Sequence, residues 1–182
     1  MNIKSKLMDA SAIDRSLSRI SHEIIERNTD IGNLCLVGIE RRGAELSDIL
    51  INKIEKFSGL RPAHGKINIR FYRDDLSKLN SEPYLESSPS LPFPVDGANI
   101  ILVDDVLYTG RTVRAAIDAI FSLGRPDKIQ LAILVDRGHR ELPIKADYVG
   151  KNVPSSKKEH ILVCTPSFDG SSQVLLVERD DV

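Results

Sequence analysis

The sequence has no tryptophan, only two cysteines and an aromatic content of 5% over its 182 residues. Cys35 and Cys164 lie inside apolar stretches and form no Cys-x-x-Cys pair. They predict buried thiols in a reducing compartment, and they argue against a disulfide framework or a cysteine zinc site. The longest apolar run, Leu131–Val135, is far shorter than the roughly 20 residues of a membrane-spanning helix. We therefore expect a cytoplasmic protein with no membrane span and no secretory signal.

The chain also has almost no net charge: its 25 basic and 26 acidic residues give a formal charge of −1. Such a chain lacks the strong positive field of a nonspecific nucleic-acid binder, so any RNA contact must come from a local basic face. The hydrophobic content of 41% excludes disorder over most of the chain. The length predicts one domain over residues 1–182.

Strand-like and helix-like patterns alternate along the chain. Apolar residues at helical spacing follow Ser11, the predicted N-cap of a first helix, and recur over 46–57 and 113–121. This alternation predicts an α/β domain, with a mostly parallel, twisted sheet flanked by helices. The proline- and serine-containing stretch 72–97 predicts a long mobile loop. The predicted strands are 34–37, 66–71, 99–103, 129–135, 161–164 and 174–177.

The most informative stretch runs from residue 100 to residue 112. An apolar strand ends in Asp104 and Asp105, at the edge where α/β sheets bind ligands. Thr109 and Gly110 then lead into a helix whose first amides favour a phosphate. Because carboxylates repel phosphate but accept hydrogen bonds from ribose hydroxyls, the pattern indicates a sugar-phosphate site. The plainer alternative is that the acids only end a strand and that the Thr-Gly pair only caps a helix.

This stretch closely resembles the phosphoribosyl-pyrophosphate (PRPP) signature of the type I phosphoribosyltransferases. The resemblance implies their fold, and it implies that Asp104 and Asp105 hold the ribose 2′- and 3′-hydroxyls. Tyr108 stands where purine enzymes of the family usually carry an aspartate. A tyrosine is a poor base at neutral pH, which disfavours a purine or orotate substrate. The implied 5′-phosphate loop consists of Val106, Leu107, Tyr108, Thr109, Gly110, Arg111 and Thr112.

Residues 40–43 resemble the pyrophosphate loop of that family, which often holds a cis peptide before its basic residue. The resemblance implies that Arg41, Arg42 and Gly43 bind the leaving pyrophosphate. A simple strand-to-helix turn with solvated arginines is the alternative. The resemblance also implies Mg²⁺ that is held mainly through PRPP, with no direct protein ligand.

Two further stretches are similar to catalytic segments of the family. Residues 72–76 resemble the mobile loop that closes over PRPP, in which Arg73 would neutralise charge on the departing pyrophosphate. A polar loop with no role is the alternative. Asp136 and Arg137 follow a predicted strand, and we expect them on the side of the base and the pyrophosphate. The implied catalytic residues are Asp104, Asp105, Arg73 and Arg137.

The stretches 18–28, 71–77, 134–144 and 146–152 are similar to one subfamily, the pyrimidine-operon attenuation regulators with uracil phosphoribosyltransferase activity. This likeness covers roughly the first 155 residues. It implies an enzyme that converts uracil and PRPP to UMP. It also implies an attenuator, a homodimer or higher homo-oligomer, that senses UMP or UTP and binds a stem-loop of pyrimidine-operon leader mRNA. The alternative is a stand-alone uracil or other pyrimidine phosphoribosyltransferase with no RNA role.

An RNA role requires a basic surface. Three of its candidates share a face of the first predicted helix, and three follow residue 136. Bare charges of this kind more often form a solvated face, and only the resemblance favours RNA contact through an unpaired loop. The implied RNA-binding residues are Arg15, Arg19, His22, Arg140, Lys145 and Lys151.

Overall fold

The computed structural model describes residues 2–72 and 89–178. Two 3₁₀ turns, Ile31–Asn33 and Arg70–Tyr72, lie between the main elements. In chain order these elements are β1 (Asn2–Met8), α1 (Ala10–Arg27), β2 (Leu34–Ile39), α2 (Arg42–Ser58), β3 (Ala63–Ile67), β4 (Asn99–Leu107), α3 (Arg111–Leu123), β5 (Lys128–Asp136), β6 (Tyr148–Asn152), β7 (Glu159–Cys164), α4 (Pro166–Asp169) and β8 (Gln173–Glu178).

Five of these strands form a wholly parallel sheet in the order β3-β2-β4-β5-β6. In the central strand β4, Ile101 and Val103 join an apolar cluster with α1 and α2. The alternating residues Ile100 and Leu102 join a second cluster with α3. Both faces of the sheet are covered by helices, which explains why its strands are almost continuously apolar. The α/β class and the mostly parallel sheet are therefore confirmed.

The strands β1, β8 and β7 form a separate antiparallel sheet. The sequence pattern predicts β7 and β8 but misses β6, β1 and the small sheet itself. The reason is clearest in β1, whose first five residues are exposed, so that no alternation marks it. Three residues, Met8, Val163 and Val174, join the cluster of α1 and α2. The small sheet is thus packed on the same core as the large one.

The predicted strand 99–103 in fact extends to Leu107, so Asp104 and Asp105 lie within β4 and not in a turn after it. Two other predicted boundaries are wrong for local reasons. Helix α1 is capped by Asp9, whose carboxylate accepts a hydrogen bond from the Ala12 amide at 2.7 Å, so Ser11 lies inside the helix. The predicted strand 66–71 lies instead at 63–67. It ends there because the Asn68 side chain accepts a hydrogen bond from the amide two residues later and turns the chain.

Of the predicted loop 72–97, residues 73–88 lie outside the described residues. The described part, residues 89–97, packs against the rest of the domain. Leu91 and Phe93 pack against the α3 cluster, and Val95 is buried in it. This stretch therefore leads into β4 as a packed segment.

The two cysteines are free and buried, as the sequence predicts. Burial raises the pKa of both thiols. Over residues 2–72 and 89–178, no helix combines the length and the apolar character that crossing a bilayer requires.

Candidate active site

Asp104 and Asp105 lie near the carboxyl end of β4, held by the backbone around them. One oxygen of Asp104 accepts a hydrogen bond from the Asp105 amide at 2.9 Å. One oxygen of Asp105 accepts a hydrogen bond from the Val106 amide at 2.8 Å. Burial raises the pKa of the Asp105 carboxyl, and the hydrogen bond with Asp104 opposes that shift. The strand therefore presents two adjacent carboxylates in one fixed orientation.

The amino-terminal end of α2 faces these acids. The peptide bond between Glu40 and Arg41 is cis, as the resemblance implied. Gly43 lies so close to β4 that a Cβ atom built on it would stand 2.5 Å from the Val103 carbonyl oxygen and 3.2 Å from an Asp104 carboxylate oxygen. A glycine is therefore required for the loop 40–43 and the acids to share one site.

A cleft of about 500 Å³ lies between the loop 40–43 and the two acids. Asn68, Ile69 and Arg70 also line it, and the sequence analysis did not select them. They follow β3, whose carboxyl end lies at the same edge of the sheet as that of β4. Their position after this strand is the sequence feature that could have identified them as part of the site. Arg73, predicted as catalytic, lies outside the described residues.

Arg42 lines the cleft and also forms an ion pair with Asp169 of α4. Its guanidinium donates two hydrogen bonds to the Asp169 carboxylate, at 2.9 and 3.2 Å. This pair raises the pKa of Arg42 and lowers the pKa of Asp169. Glu45, one turn further along α2, accepts hydrogen bonds from the amide and hydroxyl of Ser167. The start of α2 is thus attached to α4, a contact that no sequence motif indicated.

The predicted phosphate loop 106–112 surrounds a pocket of about 310 Å³. Gly110 adopts a φ of 95°, in the left-handed region that favours glycine, and its carbonyl begins the hydrogen bonding of α3. The amides of a first helical turn have no partner within the helix, so they can bind an anion. The Thr109 carbonyl accepts hydrogen bonds from the Glu141 and Leu142 amides, which supports the loop from behind.

Arg137 does not project into the cleft. It is buried, and its guanidinium donates hydrogen bonds to the Ser155 hydroxyl and to the carbonyls of Ser156 and Glu159. Burial lowers the pKa of Arg137. The guanidinium also stacks on the Tyr108 ring, 4.1 Å from its centroid. These contacts connect the phosphate loop to the segment between β6 and β7.

Asp136, predicted beside the substrate, forms a short ion pair with Arg140. Arg140 further donates hydrogen bonds to the Ile144 carbonyl at 3.0 Å and to the Tyr108 carbonyl at 2.9 Å. Arg140 was predicted to bind RNA. In the structure its guanidinium is hydrogen-bonded to the backbone of the loop 106–112 and of residue 144. Lys145, also predicted to bind RNA, is exposed and follows Ile144 directly.

The other predicted RNA-binding residues meet on a different surface. Arg15, Arg19 and Lys151 line one shallow depression of about 360 Å³ between α1 and β6. Arg19 also donates hydrogen bonds to the Val149 and Gly150 carbonyls and pairs with Glu23. His22, one turn further along α1, is exposed. The structure thus brings four of the six predicted residues together and leaves Arg140 and Lys145 elsewhere.

The fold and this arrangement define a phosphoribosyltransferase. A model of the phosphoribosyl transferase domain family matches residues 5–167. Among solved structures, the hypoxanthine phosphoribosyltransferase of Trypanosoma cruzi superposes with a TM-score of 0.73 at 15% identity and covers 98% of both chains. A hypoxanthine phosphoribosyltransferase from Staphylococcus aureus superposes with a TM-score of 0.65 at 19% identity, over 85% of this chain and 81% of that one. At these identities the likeness shows the fold alone.

Comparison with curated relatives identifies the family within the phosphoribosyltransferases. The chain is 53% identical over 175 residues to the bifunctional protein PyrR of Caldicellulosiruptor bescii, and the match covers 96% of each. It is 54% identical to the bifunctional protein PyrR of Clostridioides difficile, over 96% of this chain and 98% of the relative. The PyrR of Clostridium acetobutylicum is 52% identical, over 98% and 99%. The chain belongs to the PyrR family of phosphoribosyltransferases.

The close packing at Gly43 predicts that the substitution Gly43→Ala lowers the free energy of unfolding by about 1–3 kcal/mol, because the added methyl group must displace β4 or α2. Urea denaturation measures this loss. Gly32→Ala is the matched control, since its Cβ would meet only Asp30, at an ordinary 3.5 Å. Equal stability of the two variants would show that α2 and β4 tolerate a wider spacing.

Burial of the Asp105 carboxylate predicts that Asp105→Asn raises the melting temperature at pH 7. A carboxyl whose pKa is raised on folding binds its proton more tightly in the folded state, so stability falls as pH rises through that pKa. The neutral amide avoids this loss. Thermal unfolding at a series of pH values should show the gain at pH 7 and its decline as Asp105 becomes protonated in the wild type. Asp127→Asn, at an exposed position, is the control, and an unchanged or lower melting temperature for Asp105→Asn would contradict the prediction.

Proposed function

We propose that the chain catalyses the reaction of uracil with PRPP to give UMP and pyrophosphate, and that it also regulates transcription of a pyrimidine operon by binding leader mRNA. The observation that carries the enzymatic part is the single cleft in which Asp104 and Asp105 face the cis peptide of residues 40–41. A pocket of about 310 Å³, lined by the loop 106–112, opens beside it. The ribose hydroxyls, the pyrophosphate and the 5′-phosphate of PRPP would thus each have a surface suited to bind them.

In this proposal, the two carboxylates accept hydrogen bonds from the ribose 2′- and 3′-hydroxyls. Loop 106–112 binds the 5′-phosphate through its amides and the Thr109 and Thr112 hydroxyls. Arg41 and the backbone of the loop 40–43 hold the pyrophosphate. The bond from the anomeric carbon to pyrophosphate breaks through an oxocarbenium-like state, next to the carboxylates that favour positive charge. N1 of uracil forms the new bond to that carbon, and the N1 proton passes to solvent. The protein contributes by positioning these groups and by balancing their charge.

In this proposal Mg²⁺ enters the site together with PRPP. Within the described part of the chain, no group of three or more His, Cys, Asp or Glu side chains is placed to hold a metal ion. When bound with PRPP, Mg²⁺ neutralises charge on the leaving pyrophosphate. Asp104 and Asp105 would orient the ribose oxygens toward it, and we assign the chain no direct metal ligand.

The choice of uracil rests on Tyr108 and on the family. No acid replaces Tyr108 within the loop 106–112, and its ring is stacked under Arg137 and meets His139 edge-on, with centroids 6.1 Å apart. We assign Arg137 a positioning role, because it connects this ring to the segment 155–159. Asp136 acts similarly, through Arg140, on the backbone of the phosphate loop.

The regulatory part of the proposal rests on the PyrR relatives, which are named bifunctional, and on the basic depression between α1 and β6. UMP or UTP in the active-site cleft would favour the RNA-binding state by binding that state more tightly. The RNA stem-loop would contact Arg15, Arg19, His22 and Lys151. An attenuator of this kind meets nascent mRNA in the cytoplasm, and a homodimer or higher homo-oligomer would extend the basic surface.

We further propose that residues 1–182 act as a single phosphoribosyltransferase domain. The small sheet supports this, because Met8, Val163 and Val174 belong to the same apolar cluster as α1 and α2. The ion pair between Arg42 and Asp169 attaches the carboxyl-terminal part of the chain to the cleft.

The catalytic assignment predicts that Asp104→Asn and Asp105→Asn each reduce UMP synthesis by 100-fold or more, about 3 kcal/mol of transition-state stabilisation. The amide keeps the shape of the side chain but loses the charge that binds ribose hydroxyls and offsets the oxocarbenium-like state. Synthesis is measured from radioactive uracil with saturating PRPP. Asp118→Asn, in the exposed ion pair of α3 with Arg114, should retain activity. Full activity in either site variant would overturn the assignment.

The regulatory assignment predicts that Arg15→Gln combined with Lys151→Gln weakens binding of a pyrimidine-operon leader stem-loop at physiological salt, by about 10-fold or more if two phosphate contacts are lost. UMP should strengthen binding by the wild type. Lys128→Gln is the matched control, at the amino-terminal end of β5, opposite the end that pairs with Lys151. If the wild type binds a scrambled stem-loop equally well while still making UMP, the chain is a stand-alone uracil phosphoribosyltransferase.

A further inference from the structure

Two aromatic rings from different helices stack on each other at the surface. The imidazole of His22, on α1, lies parallel to the ring of Phe57, on α2, with the centroids 4.2 Å apart and an angle of 17° between the planes. His22 is exposed, and 38% of Phe57 remains accessible to solvent. Leu60, just beyond α2, is 53% exposed. The packing of α1 on α2 thus leaves the stacked rings of His22 and Phe57, here called the platform, facing solvent.

This platform lies next to the basic depression. His22 follows Arg19 by three residues on α1, so their side chains are neighbours on the helix surface. Arg19 and Arg15 line the depression together with Lys151. A ligand that spans both features would meet cations at one end and flat aromatic rings at the other. A nucleic acid strand has this combination, with phosphates along its backbone and bases that stack.

The charges beside the platform favour a neutral ring there over a phosphate. Glu26 is exposed one turn beyond His22 on α1, and Glu23 is paired with Arg19. Because Arg19 already neutralises Glu23, the Glu26 carboxylate is the charge that would repel an additional anion. A nucleobase carries no charge and has two faces available for stacking, so it suits the site.

We propose that Phe57 and His22 form a stacking platform for one unpaired nucleobase of the bound RNA. In this platform Phe57 covers one face of the imidazole, and the base stacks on the other face. Arg15, Arg19 and Lys151 would bind the phosphates that lead to this base. The proposal rests on the RNA-binding part of the proposed function and adds to it a residue, Phe57, that no sequence motif singled out.

The test compares Phe57→Leu with Phe57→Tyr in binding a leader stem-loop. Leucine keeps an apolar side chain but removes the ring, and it should weaken binding at least about fivefold, the lower end of what one stacked base contributes. Tyrosine keeps the ring and should bind like the wild type. Leu60→Ala is the matched control, because it removes exposed apolar surface without touching the stack. Urea denaturation midpoints establish that each variant is folded.

A set of stem-loops, each with one abasic nucleotide in the loop, then identifies the stacked base. One abasic position should weaken binding by the wild type by about the same factor as Phe57→Leu, and it should have no further effect in that variant. If no position behaves in this way, or if folded Phe57→Leu binds as tightly as the wild type, the platform is rejected while the RNA role stands.

Two other outcomes also reject the proposal and are distinguishable from these. If the wild type itself does not prefer the leader stem-loop to a scrambled one, the RNA-binding function fails, and the platform fails with it. If Phe57→Leu leaves RNA affinity unchanged but alters the sedimentation of the protein, the exposed rings belong to an interface between copies of the chain.

Discussion

The close approach of α2 to β4 is the contact on which the site depends. At Gly43 there is no room for a side chain, because the Val103 carbonyl occupies the position that a Cβ would take. This contact brings the cis peptide of residues 40–41 and the carboxylates of Asp104 and Asp105 to the same cleft. If α2 stood further from the sheet, the loop 40–43 and the two carboxylates would not face each other across the cleft.

The cleft combines groups that oppose one another in charge. Burial raises the pKa of the Asp105 carboxyl, so folding disfavours the charged form of this side chain. Arg42, across the cleft, is balanced by Asp169 from the carboxyl-terminal part of the chain. Such opposed placements are common where a protein binds a ligand whose own charges complete the arrangement. The placement of the Asp105 carboxylate thus lowers the free energy of unfolding, and in return the groups of the site are already in position.

Two buried or half-buried arginines organise the other side of the cleft. Arg137 links the Tyr108 ring to the segment 155–159, and Arg140 links Asp136 to the Tyr108 carbonyl. The family resemblance implied that Arg137 is catalytic and that Arg140 binds RNA. In the structure their donors are used by the protein itself. The loop 106–112 is therefore held in place by two arginines that bind other parts of the protein.

The sequence by itself determined the α/β class, the parallel sheet and the identity of the acids and of loop 106–112. These features follow from local patterns, namely apolar runs, a strand that ends in two acids, and a glycine that begins a helix. Only the tertiary structure decided the partners of Arg42, Arg137 and Arg140 and the stack of His22 on Phe57. Apart from the contacts that Arg140 makes within residues 136–144, these contacts join residues distant in the chain. A side chain's partner depends on which elements pack against it. For the same reason the strand β1, exposed over most of its length, became recognisable only through its pairing with β8.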